Sequence, residues 1–186
     1  FVTLSDMDRS LDPLTNLFLT QALISLGREA DAMPSGSLPV PVRMFLDDFG
    51  NFRIPNFEQA ISVVRSKNIW CTMLCQTTSQ LAARYGEEGA NTIIGNCDTL
   101  LFLGGGNEPT SLEFIVKLLG KETIATRTRG QTKGRSGSSS TNFQQTGRDL
   151  MTIDEVRKLD THKAILFIRG EDPVLDKKYN LSLIHI

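Results

Sequence analysis

Apolar residues occur along this chain in two arrangements, short continuous runs and helical spacing. The continuous runs predict strands over residues 1–5, 42–46, 69–75, 99–105 and 163–170. Runs of this kind are typical of parallel strands that are covered on both faces. Apolar residues three and four positions apart predict helices over residues 12–27, 55–67, 77–97 and 109–120. Strands that alternate with helices predict an α/β fold, a parallel sheet flanked by helices.

Local signals predict where several of these helices begin and end. Asp12, which a proline follows, predicts a helix start with the acid as its cap, and Gly27 predicts the end of that helix. The glycines of the stretch Gly86–Gly89 predict an interruption in the third helix. Thr152–Glu155 has the spacing of a capping box, which predicts one more helix start.

The composition describes one soluble globular domain. The 186 residues are 40% hydrophobic and 22% charged, with a formal net charge of −1. This balance neither favours nor excludes a nucleic-acid partner, so any basic surface must be local. Three cysteines without a CxxC pair suit a reducing compartment, and two distant histidines offer no zinc-ligand spacing. No apolar run reaches the roughly 18 residues of a membrane span.

The strand at 42–46 leads into two adjacent aspartates, Asp47 and Asp48. Neighbouring carboxylates repel each other, so the pattern indicates a bound cation. An apolar strand followed by two acids is typical of a Walker B motif, in which the first acid holds Mg²⁺ and the second polarises the attacking water. The alternative is a pair of solvated turn acids. Gln76 also follows a strand, and we expect all three residues at one edge of the sheet.

Besides the two acids, Gln76 and Arg65 are candidates for the same chemistry. Gln76 could orient a water molecule or sense a γ-phosphate, and its alternative role is to cap the turn that follows. Arg65, near the end of the helix over 55–67, is placed to reach the phosphates of a neighbouring subunit as an arginine finger. Its alternative role is a surface ion pair with Glu58.

A phosphate-binding loop is not found anywhere in this sequence. The glycines of Gly104–Gly106 are not followed by the lysine and hydroxyl that GxxxxGK[ST] requires. The glycines at 120 and 130 fail the same test. We therefore expect no nucleotide hydrolysis by this chain on its own.

The segment 126–148 contains five basic residues and no acid. Its glycine and serine content predicts a loose, flexible stretch rather than regular structure. Such a segment suits contact with a nucleic-acid backbone, which does not depend on base sequence. The candidates for DNA binding are Arg127, Arg129, Lys133 and Arg135. The alternative is a solvated surface loop.

Several blocks taken together resemble the TraG/TraD class of coupling-protein ATPases in conjugation and type IV secretion. They are LDDFGNFRIPNFEQAISVVRSKNI, CQTTSQLAARYGEEGANTIIGNCDTLLFLGG, LLGKETI and LMTIDEVRKLDTHKAILFIRGEDPVLDKKYNL. The resemblance covers residues 1–181 and implies the C-terminal part of a RecA-like P-loop NTPase core. The membrane anchor and the Walker A segment would then precede residue 1. Residues 182–186 depart from the family and are expected to be a non-native tail.

The resemblance also implies cofactors, partners and a location. It implies an ATP- and Mg²⁺-dependent motor at the cytoplasmic face of the inner membrane, which assembles into a ring that we expect to be hexameric. Such a motor moves single-stranded DNA and its relaxase toward the secretion channel, and relaxosome proteins and channel components would be its partners. Two alternatives stay open, a non-catalytic adaptor that docks relaxosome proteins and a related ring motor of chromosome partitioning.

The residue roles carry over position by position. Asp47 matches the acid on the Mg²⁺ side, Arg65 the arginine-finger candidate and Gln76 the glutamine that ends the next strand. Asp48 stands where the family usually has the catalytic glutamate. Because aspartate is one methylene shorter, either the attacking water lies nearer or hydrolysis is slower.

Overall fold

The chain folds into two compact units, residues 1–100 and residues 101–186, in a computed structural model that describes residues 2, 10–131 and 139–179. The predicted strand at 1–5 and the tail at 182–186 therefore lie outside the described residues, apart from residue 2. The first unit contains α1 (Asp12–Ala32), β1 (Val42–Leu46), α2 (Phe57–Val64), a 3-10 turn (Arg65–Lys67), β2 (Ile69–Met73) and α3 (Thr78–Gly95).

The second unit is built from short helices and two small sheets. The strand β3 (Thr99–Phe102) spans the boundary between the units. The remaining elements are α4 (Pro109–Leu119), β4 (Lys121–Gln131), β5 (Ser139–Asp149), α5 (Ile153–Arg157), β6 (Lys163–Ile168) and β7 (Val174–Lys177). One sheet has the order β3–β6–β7, with β6 and β7 antiparallel, and the other is the β4–β5 hairpin.

The first unit has the predicted alternation of strands and helices around parallel pairing. β1 and β2 are parallel, with Val42 opposite Ile69 and Leu46 opposite Met73. α2 buries Phe57, which is fully covered, together with Ile61 and Val64, as the helical spacing of its apolar residues predicts. These apolar residues of α2 belong to the same buried core as Leu46, the last residue of β1.

Several predicted helix boundaries hold and others do not. The capping box at Thr152 and Glu155 is present, with each side chain bonded to the backbone of the other. The interruption of α3 is confirmed at Gly86, whose φ of 74° and ψ of 165° are not helical. The predicted end at Gly27 is wrong, because α1 continues to Ala32 and buries Ala30. This packing offsets the roughly 1 kcal/mol that a glycine costs inside a helix. Asp12 is also not the cap, since the N-cap residue is Leu11.

The prediction of a loose stretch over 126–148 is wrong for the residues that the structure describes. β4 and β5 form an antiparallel hairpin whose register runs from Lys121 opposite Asp149 to Gln131 opposite Ser139. Threonine-rich segments favour strands, and cross-strand pairing outweighs the local preference of glycine and serine. β7 was not predicted either, since its four residues contain an acid and a lysine.

None of the helices in the described parts of the chain combines the length and the apolar character that crossing a membrane requires.

Candidate functional site

The end of β1 holds two exposed acids between two buried side chains. Leu46 is 4% exposed and Phe49 is fully buried, whereas Asp47 and Asp48 between them are exposed. The backbone N–H of Asp48 donates to Oδ1 of Asp47 over 3.0 Å. The core therefore holds the backbone on both sides of the acids and leaves their carboxylates in solvent, where charge is least costly.

The acids form the start of a tight turn. The N–H of Asn51 donates to the carbonyl oxygen of Asp48 over 2.8 Å, and the N–H of Phe49 donates to the carbonyl oxygen of Leu74 over 2.8 Å. Asp48 has a φ of 47°, in the left-handed region. Aspartate adopts this conformation more readily than most residues because its short polar side chain bonds locally. The turn thus has a conformational preference for aspartate at this position.

An aromatic cluster anchors the turn from below. The ring of Phe49 lies 4.9 Å from Phe57, 5.5 Å from Tyr85 and 5.6 Å from Phe52, centroid to centroid. The Tyr85 hydroxyl accepts a hydrogen bond of 3.0 Å from the buried N–H of Ile54. Burial raises the pKa of Tyr85 to about 12, so this hydroxyl stays protonated. Aromatic packing of this kind holds the turn in one position.

Gln76 lies beside the acids, as the shared strand edge predicts. Its Nε2 donates to Oδ1 of Asp48 over 3.4 Å, at the long end of the hydrogen-bond range, and the side chain is exposed. The next residue, Thr77, caps α3 by accepting from the N–H of Gln80. The structure therefore brings Gln76 and Asp48 together, and their catalytic roles remain predictions.

Arg65 lies at the other end of the two strands. It follows α2 in the 3-10 turn, and the carbonyl oxygen of nearby Asn68 accepts from the N–H of Val42, the first residue of β1. Its Nη1 is 2.8 Å from Oδ2 of Asp98, so the predicted surface pair with Glu58 is wrong. Sequence proximity favoured Glu58, whereas the fold brings Asp98 nearer.

The acids at the end of β1 fit a partial magnesium site. No group of three or more histidine, cysteine, aspartate or glutamate side chains is arranged as a metal site in the described ranges. Mg²⁺ in nucleotide sites needs only one or two protein carboxylates, because water molecules and substrate phosphates complete its octahedral shell. The exposed carboxylate of Asp47, next to that of Asp48, suits this arrangement.

The structure places only part of the predicted DNA-binding set. Arg127 and Arg129 lie on β4, opposite Phe143 and Thr141 in the hairpin register. Lys133 and Arg135 lie outside the described residues.

Sequence reasoning missed two residues that support the acid turn from α3. Arg84 donates from Nε to the carbonyl oxygen of Gly50 over 3.0 Å, and Tyr85 bonds Ile54 as described above. The apolar spacing of α3 predicts that Tyr85 is buried, but no local signal links either residue to a turn more than thirty positions earlier.

Most of the chain matches a known protein family. Residues 41–161 match the family described as "TraM recognition site of TraD and TraG". This chain belongs to the TraG/TraD family. Protein VirD4 of Rhizobium rhizogenes is 24% identical over 167 residues, and VirD4 of Agrobacterium fabrum is 23% identical over 167 residues. The match covers 89% of this chain but only 24% of each VirD4 protein.

Solved structures of a bacterial conjugative coupling protein share the fold. The unbound bacterial conjugative coupling protein TrwBdeltaN70 has a TM-score of 0.74 and 19% identity, over 92% of this chain and 38% of TrwB. TrwB in complex with the ATP analogue ADPNP has a TM-score of 0.66 and 16% identity, over 91% of this chain and 37% of TrwB. The chain thus shares the α/β fold of these coupling-protein structures, with parallel strand pairing and flanking helices, as predicted.

Proposed function

We propose that residues 1–181 are the C-terminal part of the ATPase domain of a conjugative coupling protein. The observation that supports this most is the pairing of Asp48 with Gln76 beside Asp47, at the carboxyl edge of parallel strands, in a member of the TraG/TraD family. In α/β sheets, ligands bind at this edge. The chain spans about a quarter of the length of the VirD4 relatives, so the activity belongs to a longer protein.

Each residue of the edge has a separate task. Asp47 would hold Mg²⁺, and Asp48 accepts the proton of the water that attacks the γ-phosphate. Gln76, 3.4 Å from Oδ1 of Asp48, orients that water. When bound, Mg²⁺ neutralises charge that develops on the phosphates. A TrwB structure in complex with ADP and Mg²⁺ supports this choice of cofactors.

Arg65 serves a neighbouring subunit in a homo-oligomer, which we expect to be a hexameric ring. Arg65 precedes β2, whereas the acids follow β1, which runs parallel to β2. The two sites therefore lie at opposite ends of a pair of five-residue strands. At about 3.3 Å per residue, this separates the two ends by roughly 15 Å. This separation supports a contact of Arg65 with the phosphates of an adjacent subunit, rather than with those held beside its own Asp47.

The substrate that the motor moves is single-stranded DNA. Arg127 and Arg129 on the hairpin, with Lys133 and Arg135, contact its phosphate backbone. The partners are relaxase and relaxosome proteins and components of the secretion channel, at the cytoplasmic face of the membrane. The family description, which names TraM recognition, supports a relaxosome partner.

A non-catalytic adaptor that docks relaxosome proteins is the second candidate. The recognition role in the family description favours it. A GxxxxGK[ST] motif does not occur in these 186 residues, so we expect no Mg²⁺-dependent ATP hydrolysis from this chain alone.

The intact protein that carries this chain separates the two candidates. In the ATPase, Asp47→Ala abolishes hydrolysis while the melting temperature stays nearly unchanged, because the Asp47 side chain is exposed. In the adaptor, the unsubstituted protein does not hydrolyse ATP, and it still binds relaxosome proteins. Equal turnover by the unsubstituted protein and Asp47→Ala would remove Asp47 from the metal role.

A further inference from the structure

The acid turn is held by α3 through one peptide unit. The carbonyl oxygen of Gly50 accepts from Nε of Arg84 over 3.0 Å. The N–H of the same peptide, which belongs to Asn51, donates to the carbonyl oxygen of Asp48 over 2.8 Å. Because a peptide unit is planar and rigid, fixing its oxygen also fixes its N–H. The Arg84 bond therefore orients the hydrogen bond that closes the turn on Asp48.

Gly50 brings this peptide close to α3. A Cβ at Gly50 would lie 2.9 Å from Oε1 and 3.0 Å from Cβ of Gln80, closer than side-chain atoms normally pack. The turn backbone thus lies directly against the Gln80 side chain of the helix. Arg84 is half-buried one turn further along the helix. At that position its Nε reaches the carbonyl oxygen of Gly50.

The contact uses the donor of Arg84 rather than its charge. None of the ion pairs formed within the described parts of the chain includes Arg84. Its partner at Gly50 is a neutral carbonyl oxygen. A neutral N–H donor at the same place should therefore perform the same task.

We propose that Arg84 is a positioning residue for the Asp48 carboxylate, an inference that depends on the hydrolytic function proposed above. Arg84 does not touch nucleotide in this role. It fixes the peptide between Gly50 and Asn51, and that peptide fixes the backbone of Asp48. A displacement of about 1 Å in a catalytic group lowers turnover by roughly 100-fold, so the bond matters for rate more than for nucleotide binding.

Two substitutions separate the donor from the rest of the side chain. Arg84→Gln places an amide nitrogen the same number of bonds from the backbone as Nε, without charge. Arg84→Met has similar length and no donor. Arg53→Ala is the matched control, because it removes another guanidinium near the turn, one that lies 5.8 Å from the centroid of the Tyr85 ring.

In the intact protein, Arg84→Met should lower kcat by roughly 10- to 100-fold and leave KM for ATP within about twofold. Arg84→Gln should keep kcat within about threefold of the unsubstituted protein, and so should Arg53→Ala. A loss of kcat that is equal in Arg84→Gln and Arg84→Met would overturn the proposal, and so would full activity in Arg84→Met.

Amide hydrogen exchange in the 186-residue chain gives a readout that does not require activity. The Asn51 amide should exchange about tenfold faster in Arg84→Met than in Arg84→Gln, while the amides of β2 stay protected in both. Equal Asn51 exchange in the two variants would overturn the proposal even if kcat falls. An unsubstituted protein that hydrolyses no ATP, with Asn51 exchange changed as expected, would count against the proposed function and leave the structural role of Arg84 in place.

Discussion

Nη1 of Arg65 lies 2.8 Å from Oδ2 of Asp98, and this ion pair joins the turn after α2 to the residue before β3. The side chains are 67% and 37% exposed. Exposed pairs of this kind contribute at most about 1 kcal/mol to stability, because water screens the charges and both side chains lose freedom. Any large effect of Arg65 on activity must therefore come from another contact, which makes the finger hypothesis testable.

Arg65→Ala in the intact, assembled protein should lower ATP turnover by about 100-fold or more, with nucleotide binding and thermal stability nearly unchanged. Arginine fingers in GTPases supply about 10³–10⁵ in rate by stabilising charge on the phosphates. Steady-state turnover and nucleotide affinity measure the two effects separately.

Asp98→Asn is the matched control, since it removes the same ion pair and keeps the guanidinium. We expect turnover within about threefold of the unsubstituted protein. Mixing Arg65→Ala subunits with subunits that cannot bind nucleotide should restore part of the activity. The first kind of subunit then binds the nucleotide and the second supplies the arginine. If Asp98→Asn and Arg65→Ala lose turnover equally, the ion pair and not the finger is responsible.

The left-handed conformation of Asp48 predicts that Asp48→Asn and Asp48→Glu differ in their effects on stability. Its φ of 47° is tolerated well by asparagine and less well by glutamate. Asp48→Asn should keep the free energy of unfolding within about 0.5 kcal/mol and abolish hydrolysis, because an amide cannot accept the proton. Asp48→Glu keeps a carboxylate but should lower the free energy of unfolding by about 1 kcal/mol.

Denaturant unfolding of both variants, together with turnover in the intact protein, checks this prediction. The same substitutions at Asp47 provide the control, because Asp47 is not among the described non-glycine residues with positive φ. Asp47→Glu should therefore not show the loss in stability. Equal stability of Asp48→Glu and Asp48→Asn would show that the left-handed conformation does not select aspartate here.

Gly50→Ala should displace the acid turn. The added Cβ would lie 3.0 Å from Cβ of Gln80, which is fixed to the helix backbone, so the turn or α3 must move. Overpacking of this kind costs about 1–3 kcal/mol. Gly95→Ala, where nothing lies within 4 Å of the added Cβ, should leave the stability unchanged or raise it slightly. Thermal unfolding of the two variants gives the comparison, and an equal shift in both would contradict the close approach at Gly50.

The sequence predicts the elements and the strand edge but not the contacts that hold the turn. Asp47 and Gln76 follow apolar runs, so their place at strand ends depends only on local pattern. The bonds of Arg84 to Gly50 and of Tyr85 to Ile54 span 34 and 31 positions, and no local signal reports them. The hairpin of β4 and β5 was missed for a related reason, since cross-strand pairing is not visible in glycine and serine content.

Tyr85→Phe should destabilise the protein in a pH-dependent way. Removing the hydroxyl leaves the buried N–H of Ile54 without its acceptor, which costs about 1–3 kcal/mol at neutral pH. Burial raises the pKa of Tyr85 from 10.0 to about 12, so the folded state holds the proton more tightly than the unfolded state. The contribution of the protonated Tyr85 hydroxyl to the free energy of unfolding is therefore complete below pH 10 and is lost as the pH rises toward 12. The difference in unfolding free energy between the two proteins should narrow over this range.

Denaturant unfolding at pH 8, 10 and 11.5 measures that difference. Groups that titrate at high pH without acting on Tyr85 cancel in the comparison, such as the Cys71 thiol, whose pKa burial raises to about 11. Tyr179→Phe is the matched control, because Tyr179 is 78% exposed, and it should change neither the stability nor its pH dependence. If the difference between Tyr85→Phe and the unsubstituted protein stays constant up to pH 11.5, then Tyr85 ionises equally easily in the folded and unfolded states. The hydroxyl would then not be held in the buried cluster beneath the acid turn.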